Sequence, residues 1–386
     1  MLLIRIINDQ LNFHKLRDDW NSLLKNSNSD NIFLTWEWVY SWWETYSEKK
    51  ELFIVIVEEN GRLIGVAPLY FTKVAYFGIR TLRHIEFIGT TDTYPEYLDF
   101  ILLKGREKEL TYNILDRLYN SSNIRWDVLN LVSMRQDSEN LNWCRNYLYE
   151  KNHNFSVYAT RECPFIMLPT TMDEFFKDLN ENTRYKFRKF TKNLMRDYTV
   201  SMNRITDKEE LEKSFEVFVN LHQKRWKEKK GKGSFGKNRI KYTAFHKKII
   251  SYFFEMQWLY LVFLKVKEEI VSAQYNFLYC NKLYCYQVGF EPVWGKYNVA
   301  TVLQLMVVED AISRKLSEFD FLRGTEEYKF YWTKVTRKTL DIVLWRSKIT
   351  YSITKVEKKL RGIIKFVLPK WFILKLYNRL FSRTEK

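Results

Sequence analysis

The sequence predicts an α/β (α+β) chain of two similar domains, each a mixed, mostly antiparallel sheet flanked by helices. Three observations carry this reading. Residues 51–71, ELFIVIVEENGRLIGVAPLYF, and 257–277, QWLYLVFLKVKEEIVSAQYNF, both read as two apolar strands around a polar turn. Each follows an aromatic-rich helical stretch, residues 35–50 and 242–256, and before that an earlier helix, residues 14–26 and 208–229. The copies start at residues 51 and 257, a spacing of 206, which exceeds any solenoid period and fits a duplicated domain. Without a gap, Ile64 to Ala67 align with Ile270 to Ala273.

Further elements follow in order. After the first hairpin come short strands near residues 83–88 and 97–103, a helix over 106–120 and a strand over 126–134. After the second come a strand over 282–290, a turn EPVWGKYN, a helix over 299–316 and a strand EFDFL over 318–322. The expected divisions are a first domain over 1–165, a second over 166–350 and a basic amphipathic tail over 351–386. That tail carries ten Lys or Arg against two Glu, a net +8, in the pattern of an interfacial membrane helix or of a closing helix packed on the domain.

The 386 residues include 63 Lys or Arg against 46 Asp or Glu, a formal charge of +17 that favours anionic partners. Aromatic residues make up 17%, which suits large cores and aromatic-lined clefts. The four cysteines read as reduced structural thiols, and none lies in a zinc-like spacing. The five histidines are scattered, with no H-x-x-x-H and no Ser/His/Asp order, so neither metal catalysis nor a serine-type triad is indicated. The N-terminus lacks the long apolar run of a signal peptide, and no run approaches the ~18 residues of a spanning helix. A cytoplasmic protein, peripheral on the membrane through residues 361–381, is expected.

Candidate chemistry concentrates in the second half. The helix that opens at Val299 offers unpaired N–H groups and a positive dipole end, a receptor for a diphosphate. Lys296, Tyr297, Asn298, Val299 and Ala300 lie at this entry, after a turn shaped by Pro292 and Gly295. In EFDFLRGTEEYKFYW, residues 318–332, alternation sets Asp320 on the face opposite Phe319 and Phe321. Asp320 is the candidate general base and Tyr328 the candidate acid. Arg323 and Lys329 are suited to anions, and Gly324 lets the backbone turn or approach a ligand. A plain surface turn is the alternative for this stretch. Upstream, NTRYKFRKFTKNLMR holds six Lys or Arg, with Arg184, Arg188 and Lys192 on one helix face. HQKRW adds Arg225 and Trp226 before a glycine-rich basic loop. These basic residues read as acceptor-binding groups or as a solvated face.

Taken together, FLTWEWVYSWWETY, RYKFRK, HQKRW, VGFEPVWGKYNVATVL and EFDFLRGTEEYKFYW resemble the GNAT-superfamily acyltransferases of the CelD, cellulose-biosynthesis type. These are related to the Fem peptidoglycan-bridge transferases. The resemblance covers about residues 10–345 and implies tandem GNAT-like domains, the second holding the acyl donor between two splayed parallel strands. Carried over, those strands are 282–290, with Val288 on the donor, and 318–322, with the phosphates at Lys296 to Ala300. The family's phosphate loop, Gln/Arg-x-x-Gly-x-Gly/Ala, is reduced here to WGKYNVA, with one glycine and Ala300. The resemblance implies an N-acyltransferase using acetyl-CoA or another acyl-CoA, without a metal, on an amino sugar or envelope-polysaccharide precursor. It leaves two alternatives: an aminoacyl-tRNA-dependent transferase acting on a peptidoglycan precursor, and a catalytically inactive, membrane-associated polysaccharide-assembly protein. The long coiled-coil insertion often seen in the tRNA-dependent relatives has no counterpart heptad here.

Overall fold

The computed structural model describes residues 2–367 apart from 78, 79, 91, 229, 230, 232, 237 and 238, with side chains in the last helix described through residue 359. The tail expected to touch membrane, residues 361–381, has no side chain among these.

The first half runs β1 (Leu2–Ile7), α1 (Gln10–Lys15), α2 (Arg17–Lys25), α3 (Trp36–Tyr46), β2 (Lys50–Glu59), β3 (Arg62–Tyr76), β4 (Arg80–Phe87), β5 (Ile101–Leu102), α4 (Glu107–Asn120), β6 (Val128–Arg135), α5 (Glu139–Glu150) and β7 (Asn154–Met167). The second runs α6 (Met172–Asp178), α7 (Glu181–Asp197), β8 (Val200–Arg204), α8 (Leu211–Glu228), α9 (Ile240–Glu255), β9 (Leu259–Val266), β10 (Glu269–Tyr279), β11 (Lys282–Phe290), α10 (Val299–Ser313), β12 (Glu318–Asp320), β13 (Thr336–Trp345) and α11 (Lys348–Val367).

Local chemistry sets many of these boundaries. Thr35 caps α3 by accepting from Trp38 N–H, and Asn180 caps α7 by accepting from Thr183 N–H. Asn60-Gly61 closes the β2–β3 hairpin with both residues at positive φ, 52° and 78°, the geometry a two-residue hairpin turn requires. Cys280 and Asn281, at 46° and 59°, close β10–β11 in the same way. The helix α10 is buried on most sides, through Val299, Val302, Leu303, Leu305, Val307 and Val308, because it lies between the sheet and α7.

All the described strands join one sheet, in the order β1-β2-β3-β4-β6-β13-β7-β12-β11-β10-β9-β8, with β5 on β3. The order of elements repeats: β1 to β4 and then β6 mirror β8 to β11 and then β12, with α4 and α10 in matching positions. Bulges refine the equivalence. Ile64 is the extra residue of β3 and Val271 that of β10, so the structural spacing is 207. The alignment of Ile64 with Ile270 is thus one residue out, because a bulge leaves the apolar character of its neighbours unchanged while shifting the register.

Two long-range pairings stitch the halves. Strand β7 runs unbroken through residues 165 and 166, pairing with β13 along residues 154–164 and with β12 along 165–167. Strand β13, late in the chain, sits between β6 and β7 among strands of the first half. Under the sheet, α3 packs on α9: the fully buried Trp38 meets Phe245 at 4.9 Å, edge to face, and Phe277 at 5.8 Å. Among the described residues no helix is long and apolar enough to cross a membrane.

Candidate active site

Strands β11 and β12 are parallel neighbours for three residue pairs, from Lys282↔Glu318 to Tyr284↔Asp320. Beyond that they part, because each stays bonded to a different neighbour. β11 remains on β10 as far as Phe290. The chain after Asp320 follows β7, with Phe321 N–H donating to Pro164 O at 2.9 Å and Gly324 N–H to Glu162 O at 3.0 Å. A gap therefore opens between residues 285–290 and 321–324.

The edge of the gap is shaped by a bulge that the sequence did not reveal. Tyr275 faces Gln287 and Asn276 faces Cys285, so Tyr286 is an extra residue in β11. A bulge bends its strand and re-aims backbone groups. The Tyr286 hydroxyl is anchored by donating to Thr93 O and lies 3.2 Å from His246 Nε2. In the first half, β4 is likewise parallel to β6 over three pairs, His84↔Val128 to Glu86↔Asn130, but its register with β3 is unbroken. Of the two equivalent strands, β11 alone is bulged.

Helix α8 presses on this strand at Gly289. A β-carbon there would lie 2.5 Å from His222 N and 2.8 Å from Leu221 C, so only glycine permits the approach. The contact brings Arg225 Nη1 to Val288 O at 2.9 Å, on the part of β11 that no longer pairs with β12. His222 Nε2 lies 3.1 Å from both the Trp226 indole N–H and Gln287 Oε1. Burial, then Arg225, lowers His222 to about 4, so it is neutral. Tyr328 is 41% exposed, and its hydroxyl lies by Arg225 and Cys285. Burial, then Cys285, holds its pKa well above that of a free phenol. Arg225 thus links Val288 and Tyr328, while Trp226 turns to His222 and the glycine loop.

At the end of β12 the residues are engaged with one another. Asp320 has no exposed surface. Its Oδ2 accepts from Tyr97 Oη at 2.7 Å and Arg337 Nη1 at 3.2 Å, and its Oδ1 accepts from Leu322 N–H at 2.7 Å. Burial raises it to about 6, against the pull of Arg337. Arg323 donates to Glu96 Oε1 and to Pro95 O. Lys329 is 4% exposed, donates to Arg323 O and pairs with Glu326 at 3.1 Å.

Glu96 was missed by sequence reasoning. It is fully buried, Oε2 has no partner among the described residues, and burial lifts it to about 7 against Arg323. It stands in an irregular segment, residues 88–100, where periodicity carries no signal. The one sequence clue was a run of acids and aromatics, TDTYPEYLDF, straight after a strand.

The entry to α10 is a 3-10 turn, Pro292–Tyr297, followed by Asn298 in the left-handed region at φ 53°. Asn298 makes no side-chain cap hydrogen bond, and the first turn holds no acid. Tyr297 leans on Tyr198, ring centroids 5.5 Å apart, and the Lys296 ammonium lies 5.0 Å from the Tyr297 ring centre. Val299 is buried and Ala300 half-buried. Arg184 and Arg188 are not brought to this opening. They line a separate concavity of about 690 Å³ on α7, with Tyr185, Lys189, Lys192 and Arg196.

Residues 181–330, which contain α7 through β12, match the family model described as an acetyltransferase (GNAT) domain. Among solved structures, FemX is similar at 12% identity and a TM-score of 0.58, over 85% of this chain and 96% of that one. L-PGS from Bacillus licheniformis is similar at 12% identity and 0.52, over 88% and 96%. So is the C-terminal domain of a putative lysylphosphatidylglycerol synthetase from Agrobacterium fabrum, at 6% and 0.52, over 90% and 96%. No curated protein matches by sequence. These likenesses concern the fold, which is GNAT-like; they do not extend to the CelD type.

Proposed function

We propose that the chain is an N-acyltransferase that takes its acyl group from acetyl-CoA or another acyl-CoA and passes it to an amine on an amino sugar or cell-envelope polysaccharide precursor. The observation that carries this reading is the parting of β11 and β12 at the Tyr286 bulge, inside the segment matching a GNAT domain. The donor diphosphate sits at residues 296–300, on a helix whose own first turn has no acid and no side-chain cap. The thioester lies along β11, whose bulged edge polarises its carbonyl. The amine nitrogen attacks the thioester carbon, the C–N bond forms, and the C–S bond breaks. Tyr328, its proton firmly held, gives that proton to the leaving thiolate.

The amine must also lose a proton. Both oxygens of Asp320 are engaged, so it acts as a positioning residue that fixes the corner. Glu96 has one unengaged oxygen and titrates near neutrality, which suits a base. Arg225 faces the donor or an anionic acceptor group. The test is thiol release from a panel of acyl-CoAs with glucosamine-type amines, alongside thermal shift. Amine-dependent release, abolished by blocking the gap with Gly324→Trp, is expected. A chain that neither binds any acyl-CoA nor releases thiol overturns the reading.

One observation favours a second reading. Helix α7 packs Phe187 and Leu194 into the core that holds α10, and turns outward a basic concavity of Arg184, Arg188, Lys189, Lys192 and Arg196, which would suit the polyanionic handle of an aminoacyl-tRNA. Binding of tRNA that weakens steeply with salt, without any response to acyl-CoA, selects this reading.

A further inference from the structure

His246 is a fully buried ring that the proposed chemistry leaves unused. It projects from α9 between two tyrosines of adjacent strands. Its Nδ1 lies 3.1 Å from Tyr275 Oη, on β10, and its Nε2 lies 3.2 Å from Tyr286 Oη, on β11. Those tyrosines flank the bulge, since the register slips just after Tyr275 and Tyr286 is the extra residue. Tyr242, one turn earlier on α9, donates to Tyr286 Oη at 3.1 Å.

The partners fix the direction of every bond. Thr93 O is a carbonyl and only accepts, so it takes the one proton of Tyr286. His246 Nε2 must then donate to Tyr286 Oη. Burial holds the ring's pKa well below its ordinary value, so the imidazole is neutral and carries a single proton. With that proton on Nε2, Nδ1 accepts from Tyr275 Oη. Donation thus runs from Tyr275 through His246 and Tyr286 to Thr93, and no polar atom along it lacks a partner. A buried network satisfied throughout is rigid.

The first half, whose β4 is not bulged, has no such chain. The counterpart of Tyr275 there is Pro68, 207 residues earlier, which has no hydroxyl to give. Thr93 lies in the irregular segment 88–100, three residues before Glu96. From the bulge, the bond directions and this link, we infer that His246 is a positioning residue: acting through Tyr286, it holds the bulged edge of β11 at a set distance from the segment that carries Glu96. Its catalytic consequence rests on the proposed acyl transfer, where this distance sets the polarised carbonyl against the base. The link itself does not.

Three measurements on the intact chain test this. In protein labelled with 15N-histidine, the signals lost in His246→Gln should be those of a neutral ring protonated on Nε2, unchanged from about pH 5.5 to about pH 8. Tyr286→Phe keeps the ring and removes the hydroxyl, so it disturbs the aromatic core least. Its amide exchange should quicken at residues 92–97 and 284–288 and stay unchanged in β1 and β2. In the thiol-release assay, His246→Leu and Tyr286→Phe should each lower kcat about tenfold with KM for the acyl donor little changed, and the double variant should lose no more than either. His246→Gln, which keeps a donor toward Tyr286, should recover most of the rate. A ring proton on Nδ1, a titration near neutrality, or unchanged exchange in Tyr286→Phe would overturn the inference. So would additive losses, or a His246→Gln enzyme as slow as His246→Leu. A wild type that releases no thiol, with tautomer and exchange as expected, supports the link and sinks the acyl-transfer reading.

Discussion

The hydroxyl of Tyr97 donates to Oδ2 of Asp320 at 2.7 Å, across 223 residues of sequence. Both groups are buried, and Arg337 from β13 closes the triangle. The bond joins the segment 88–100 of the first half to the strand whose departure opens the gap in the second. Removing it with Tyr97→Phe leaves Asp320 with one charged partner and one backbone donor. Urea unfolding should report a loss of about 1–3 kcal/mol. Because β7 and β13 are shared by both halves, the transition should remain single. Two separated transitions in the wild type would contradict the continuous sheet.

The pH dependence of stability follows from opposing groups. Glu96 titrates at about 7 and Asp99 and Asp320 at about 6, all above the ordinary carboxylate range because of burial. Between the unfolded and folded values these acids hold more protons when folded, so their contribution to stability falls as pH rises. His84 and His222, lowered by burial to about 4, do the opposite: the unfolded chain holds the extra protons, and stability rises with pH from about 4 to 6.5. The two sets largely offset each other below 6.5. Glu96 alone extends to about 7, so Glu96→Gln is the informative variant. The stability of wild type relative to this variant should drop by about 2 kcal/mol between pH 5 and pH 7.5. A constant difference would mean Glu96 keeps its ordinary pKa.

Gly289 and Gly295 lie six residues apart in sequence and should behave oppositely. A methyl group at 289 meets the backbone of α8, which cannot move without shifting Arg225 and His222. One at 295 meets nothing within 4 Å. Gly289→Ala should cost about 1–3 kcal/mol in thermal or urea unfolding and weaken donor binding. Gly295→Ala should leave both near wild type. Equal effects would show that the α8–β11 contact is looser than described.

Elements with a strong local pattern were legible in the sequence. The two hairpins, α3, α9, α10 and the parallel strands β11 and β12 all lie where periodicity set them, within a few residues. The stretch over 14–26 split into α1 and α2 at Leu16, and 97–103 contracted to the two-residue β5. Pairings between distant segments were not legible. Nothing in TRKTLDIVLW says that β13 inserts beside β6, more than 200 residues earlier, because a half-buried strand has the same alternation in any sheet. The same limit governs the site. Asp320, Arg323 and Lys329 were singled out together in the sequence because they share one short stretch. Their partners come from elsewhere: Glu96 takes Arg323, while Tyr97 and Arg337 both donate to Oδ2 of Asp320, whose Oδ1 is held by the nearby Leu322 N–H. The bulge at Tyr286 was hidden because a bulge changes register and not composition.

Tyr328 and Arg225 give the most direct test of the chemistry, since both border the gap and Tyr328 is partly exposed. The raised phenol pKa keeps Tyr328 protonated at neutral pH, as an acid for the departing thiolate requires. Tyr328→Phe removes the proton donor together with its hydrogen bond to Arg225, and should lower kcat about 100-fold with KM for the acyl donor little changed. Arg225→Ala frees Val288 O and removes a cation from the rim, so it should act mainly on KM. Steady-state rates in an acyl-CoA and amine assay separate the two patterns. A Tyr328→Phe enzyme with full kcat would reassign the proton on sulfur to solvent. A rise in KM without loss of kcat would make Tyr328 a binding group.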